Sequence, residues 1–138
     1  MKVIKKSLFQ FPSDLKVLDK VLLWFDQLNQ PSIPKKVWLQ CQLALAEAFT
    51  NAVRHAHKYC SSDVTIDVEV TLFSESLEMR IWDHGAPFDL EQRLKNTEIV
   101  NQNVEGGRGL AILDQIADDL SYRRTEDNRN CLLIVKHY

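Results

Sequence analysis

Glu47, Asn51 and His55 recur at four-residue spacing within Glu47-Ala48-Phe49-Thr50-Asn51-Ala52-Val53-Arg54-His55-Ala56. On a helix, residues four apart stand one above another on a single face. A carboxylate beside a carboxamide can orient a water or hydroxyl and ligate Mg²⁺ through oxygen. Ala44, Ala48 and Ala52 lie close by and leave room for something bulky to approach. The same triplet also suits a solvated polar stripe on an amphipathic helix, so spacing alone leaves both readings open.

All 4 glycines fall between Gly85 and Gly109, where a backbone must bend sharply or meet a ligand closely. The first lies in Asp83-His84-Gly85-Ala86-Pro87-Phe88-Asp89, at the end of an apolar strand. A carboxylate there can accept a hydrogen bond from an exocyclic amine such as adenine's. Gly85 lets the backbone approach a flat ring, and Pro87 stiffens the exit; a plain strand-to-loop turn uses the same residues. The other three lie in Gly106-Gly107-Arg108-Gly109-Leu110, beside the start of an apolar helix. Free amide hydrogens and the helix dipole favour phosphate there, and Arg108 can add a charge-assisted contact. The run lacks the Gly-Lys-Ser/Thr ending of a P-loop, and no parallel βαβ unit surrounds it as a dinucleotide fingerprint requires.

The elements that must position these residues are legible from periodicity. Val3 to Phe11 reads as an opening strand, and Pro12-Ser13-Asp14 as a helix start with Ser13 as N-cap. Leu15 to Phe25 carries apolar residues at helical spacing. A second helix has Pro34 in its first turn and runs to about His57. From Asp63 the period becomes two, predicting a hairpin of strands through Leu72 and from Leu77 to Asp83. Leu90 to Leu94 reads as a short helix, Asn96 to Glu105 as a polar lid, and Gly109 onward as a helix. A closing hairpin joins Leu120–Thr125 to Cys131–His137. Helices on one face of a mixed, mostly antiparallel sheet make an α+β, two-layer sandwich spanning residues 1–138 as a single domain.

Composition bounds the function classes. Length 138, 45% hydrophobic and 26% charged residues suit a soluble domain with a real core. The net charge of −2 advertises neither nucleic acid nor an anionic membrane. The 3 cysteines are widely spaced and odd in number, which fits a reducing cytoplasm. His55, His57 and Cys60 lack a fourth ligand for zinc. Trp24, Trp38 and Trp82 read as core or partner-surface residues.

Taken in order, the three motifs resemble the N-box and the two glycine boxes of the GHKL, or Bergerat-fold, ATPases. The wording is closest to the anti-sigma-factor serine/threonine kinases of the RsbW and SpoIIAB type. The resemblance implies ATP and Mg²⁺ as cofactors, with Asn51 holding Mg²⁺ and Asp83 binding the adenine amino group in a pocket shaped by Gly85. It places Gly107, Arg108, Gly109 and Leu110 against the phosphates, and makes Glu47 the general base for a serine hydroxyl attacking the γ-phosphate. It implies a sigma factor and a STAS-domain anti-anti-sigma protein as partners, and a homodimer, with no direct nucleic acid or membrane contact. A binding module in which nucleotide only structures the lid is the alternative. One departure is visible: the Gly-Thr pair entering the final strand of many relatives is here Arg129-Asn130-Cys131, so another group must take over part of the adenine contact or leave it unmade.

Overall fold

A computed structural model of the protein describes residues 2–57, 63–92, 94 and 107–138. The expected lid from Asn96 to Glu105, Gly106 and Cys60 lie outside the described residues. Among the described residues, five strands form one sheet in the order β1-β2-β3-β5-β4. They are β1 (Val3–Pro12), β2 (Thr65–Phe73), β3 (Ser76–Asp83), β4 (Asp119–Arg124) and β5 (Asn130–His137). All four pairings are antiparallel. The helices with described bounds are α1 (Leu18–Asp26), α2 (Lys35–Asn51) and α3 (Gly107–Ile116), with a 3₁₀ turn over Leu15–Val17 leading into α1; residues 90–92 and 94 are also helical, where a short helix is expected from the sequence.

The two-residue alternation decides which face of the sheet the helices cover. Ile66, Val68, Val70 and Leu72 of β2 are each at most 1% exposed. They share the helix-facing side with Leu77, Met79 and Ile81 of β3 and Leu132 and Ile134 of β5. The opposite side carries Asp67, Glu69, Glu78 and Arg80, partly exposed charged side chains that pair with one another or with Arg129. Arg80 lies 3.7 Å from Glu69 and 3.4 Å from Glu78, and Arg129 pairs with Asp67 at 2.7 Å.

On the covered face, Trp38 of α2 stacks on Phe25 of α1 at 4.2 Å between ring centroids. Its indole N–H donates to Asp26 Oδ1 at 3.0 Å, so the ring is buried with its one donor satisfied. Cys41 and Cys131 are free and buried, and burial pushes the Cys41 thiol up to about 12, which makes it unreactive.

One local expectation is corrected. Asp14, not Ser13, caps the first turn: its Oδ1 accepts from the Lys16 N–H at 2.9 Å. Ser13 lies one residue before the cap, and its Oγ meets His57 Nδ1 instead. The second helix does run to about His57, but not as α-helix throughout. After Asn51 it widens to π geometry over Ala52–Ala56, closed by a bond from the His57 N–H to the Ala52 carbonyl at 2.9 Å. At the turn of the last hairpin, Asn128 takes a φ of 64°, the left-handed conformation in which asparagine stands in for glycine.

Candidate functional site

Alanine and unbranched residues favour helix through α2, and its apolar stripe of Trp38, Cys41, Ala44, Leu45, Ala48 and Phe49 is buried. Glu47 and Asn51 sit at the edge of that stripe, half-buried. Ala44 and Ala48 are small enough for α3 to pack closely against α2. The approach is close at Gly109, where a Cβ would lie 2.9 Å from Glu47 Oε2. The structure thus brings together two residues 62 positions apart, a carboxylate and the first turn of α3.

This contact yields a first prediction. In Gly109→Ala the added methyl must displace the carboxylate, which is the free end of a flexible side chain, so folding loses little. Alanine also gains up to about 1 kcal/mol over glycine within a helix. The melting temperature is therefore expected at or above wild type, while any phosphotransfer that depends on Glu47 falls at least about tenfold. Thermal melts beside a transfer assay check both.

Gly107 and Arg108 open α3. Its first N–H groups have no carbonyl partner within the helix and lie at the positive end of the dipole, an arrangement suited to phosphate. Leu110, 1% exposed, and Leu113 anchor this turn in the core, so Leu110 can offer a ligand only its backbone. The side chains of Arg108 and His55 lie outside the described residues.

Asn51 ends α2, and among the described residues its buried Oδ1 has no hydrogen-bond partner. An orphaned buried carbonyl oxygen is costly to the apo fold and is the donor type that a hard cation accepts. The observation fits the Mg²⁺ that the resemblance implies. Among the described residues, no group of three or more His, Cys, Asp or Glu side chains is placed to hold a metal.

Asp83, the last residue of β3, is 6% exposed. Its Oδ1 accepts from the Gly85 N–H at 2.9 Å and from Asn130 Nδ2 at 2.8 Å. Asn130 Nδ2 also donates to the Gly85 carbonyl at 2.8 Å. Arg124 Nη1 donates to that same carbonyl at 3.0 Å and to Asn130 Oδ1 at 3.1 Å. The loop expected to receive a flat ring is therefore pinned from β4 and β5. Asn130 was visible in the sequence only as a departure from Gly-Thr. Nothing there identified Arg124, whose partners lie 39 and 6 residues away.

His57 is the other unforeseen element. Its Nε2 accepts the His84 N–H at 2.8 Å, so Nδ1 carries the proton and donates to Ser13 Oγ at 2.7 Å. These bonds tie the end of the π turn to the loop after β3, which places Asn51 and Asp83 at one end of the sandwich. Burial holds the His57 pKa below its ordinary 6.5, opposed by nearby Asp83 and assisted by His84.

The unfolded chain takes up this proton near 6.5 while the folded chain still excludes it, so stability is complete above that pH and is lost as pH falls toward the lowered folded value. Urea midpoints are expected to drop between about pH 7 and pH 5. His57→Gln, which keeps an acceptor for His84 but cannot titrate, should flatten that slope relative to wild type.

The family described as histidine kinase-like ATPase domain matches residues 11–136. Serine-protein kinase RsbW of Listeria monocytogenes is 36% identical over 85 residues, covering 57% of this chain and 54% of its own. The RsbW proteins of Bacillus licheniformis and Bacillus subtilis are 32% and 31% identical over 85 residues, again covering 57% of this chain. The chain spans about half the length of the curated relatives it matches.

Proposed function

The chain belongs to the histidine kinase-like ATPase domain family, whose fold implies ATP binding, and from that premise we propose that it is a serine/threonine protein kinase of the anti-sigma-factor type. Its substrate would be a STAS-domain anti-anti-sigma protein, and its second partner a sigma factor that it sequesters. The observation that carries the reading is the Glu47 carboxylate lying against the first turn of α3, one helical turn from Asn51 with its unpartnered Oδ1.

In this reading Asp83 receives the adenine amino group. The N–H groups of Gly107, Arg108, Gly109 and Leu110 would face the phosphates, and Asn51 Oδ1 would hold Mg²⁺, whose charge would offset that of the phosphates. Glu47 accepts the proton of the substrate hydroxyl as its oxygen bonds to the γ-phosphorus and the bond to the ADP oxygen breaks. Transfer of this kind needs mainly positioning and charge stabilisation, which a base, a carbonyl ligand and a backbone cradle provide.

A protein partner is supported by Leu39 and Leu43 of α2, 51% and 46% exposed, which approach Glu47 along the solvent side of the helix. A homodimer is the proposed assembly. The open edge of β1, with Ile4, Leu8 and Phe9 at least 50% exposed, offers surface for it. Calorimetry with ATP, with and without Mg²⁺, followed by transfer from γ-labelled ATP to candidate STAS proteins, tests the proposal. Mg²⁺-dependent binding and labelling of a serine or threonine are expected. Binding without transfer to any STAS protein would remove the kinase reading and favour the binding module.

A further inference from the structure

We propose that Asn130 is a positioning residue for base recognition: it fixes the Asp83 carboxylate in the orientation that selects a 6-aminopurine. The inference rests on the ATP-site reading above. Asn130 is 0% exposed, and both hydrogens of its carboxamide are committed, one to Asp83 Oδ1 and one to the Gly85 carbonyl, each at 2.8 Å. Its carbonyl oxygen accepts from Arg124 at 3.1 Å, which sets which end of the amide faces Asp83. Asn130 therefore has no spare donor for a base and acts through its neighbour.

Asp83 Oδ1 collects two donors, the Gly85 N–H and the Asn130 amide. A carboxylate held through one oxygen from two fixed directions cannot turn about its side-chain bond without breaking both. Neither bond uses Oδ2. An ionised carboxylate offers only acceptors. A fixed one attracts an amino group at purine position 6 and repels a carbonyl there, and ordering it before the ligand arrives removes a cost from binding. The Gly85 carbonyl, held by Asn130 and Arg124 together, keeps the adjoining backbone in place. Where the resemblance leads one to expect a hydroxyl beside the base, this chain carries a carboxamide turned toward the carboxylate.

The test measures, by calorimetry on the full chain with Mg²⁺, the ratio of affinities for ATP and for purine riboside triphosphate, which differs only in lacking the 6-amino group. Wild type is expected to prefer ATP by about tenfold or more, the scale of one hydrogen bond to a charged group. Asn130→Ala should compress that preference to within about threefold, and Asn130→Thr, which returns one donor to Asp83, should recover part of it. Arg124→Met alters an exposed side chain, leaves the buried amide in place, and should shrink the preference by a smaller factor. If Asn130→Ala does not fold, the Arg124→Met ratio decides.

Equal weakening of both nucleotides, with the ratio held, would overturn the inference and leave Asn130 a purely structural residue. Equal affinity of wild type for both nucleotides would overturn it as well. Failure of wild type to bind ATP at all would instead overturn the underlying ATP-site reading.

Discussion

Glu47→Gln is expected to lower phosphate transfer to a protein hydroxyl by about 10²- to 10⁴-fold, the range that one general base contributes. ATP affinity should stay within about threefold, because glutamine keeps the length and packing of the side chain against Gly109. The substitution keeps the shape of the side chain and removes its negative charge and with it the capacity to accept a proton. Single-turnover transfer from γ-labelled ATP, read beside calorimetric ATP binding, checks both halves. A loss confined to the chemical step assigns Glu47 as the base. Unchanged transfer would exclude it, and the half-buried carboxylate would then be a packing element between α2 and α3.

Asn51→Ala should behave in the opposite sense for stability and for binding. The wild-type Oδ1 is buried with no partner, so deleting it removes a cost of about 1–3 kcal/mol from the apo fold and leaves a better helix former at the end of α2. The apo melting temperature is therefore expected at or above wild type. Binding should show the reverse: wild type should bind ATP at least about tenfold more tightly with Mg²⁺ than with EDTA, and the variant should lose that difference. Thermal melts without ligand and paired titrations read the two effects separately. A residue that spends stability on an unmet carbonyl is the pattern expected where function and folding compete. Loss of stability with the Mg²⁺ effect intact would show that Oδ1 serves the fold instead.

Local chemistry was the part of the site legible in advance. Glu47 and Asn51 lie within one helix, where a four-residue spacing needs only the helical repeat to put them on one face. Asp83 and Gly85 are two residues apart, and the hydrogen bond between them is a local turn contact. The strands of β2 and β3 followed from strict alternation, because one buried face demands it. The π turn after Asn51 was not legible. Its residues Ala52-Val53-Arg54-His55-Ala56 carry no mark of π geometry, and its closing residue His57 is held by partners distant in sequence.

His57 joins Ser13, 44 residues away, to His84, 27 residues away, and Asn130 reaches Asp83 across 47. Side chains with one or two polar atoms carry no mark of a partner so distant in sequence. The glycines show the same division. Clustering them between Gly85 and Gly109 pointed to a ligand-facing backbone, but only the packing of α3 on α2 showed that Gly109 is also where Glu47 must fit. What the residues alone determined were the groups available for chemistry, since helical and strand periods act over a few neighbours. Which of those groups are pinned, orphaned or pressed together was decided by tertiary structure, because hydrogen bonding and steric contact depend on positions in space that chain order does not set.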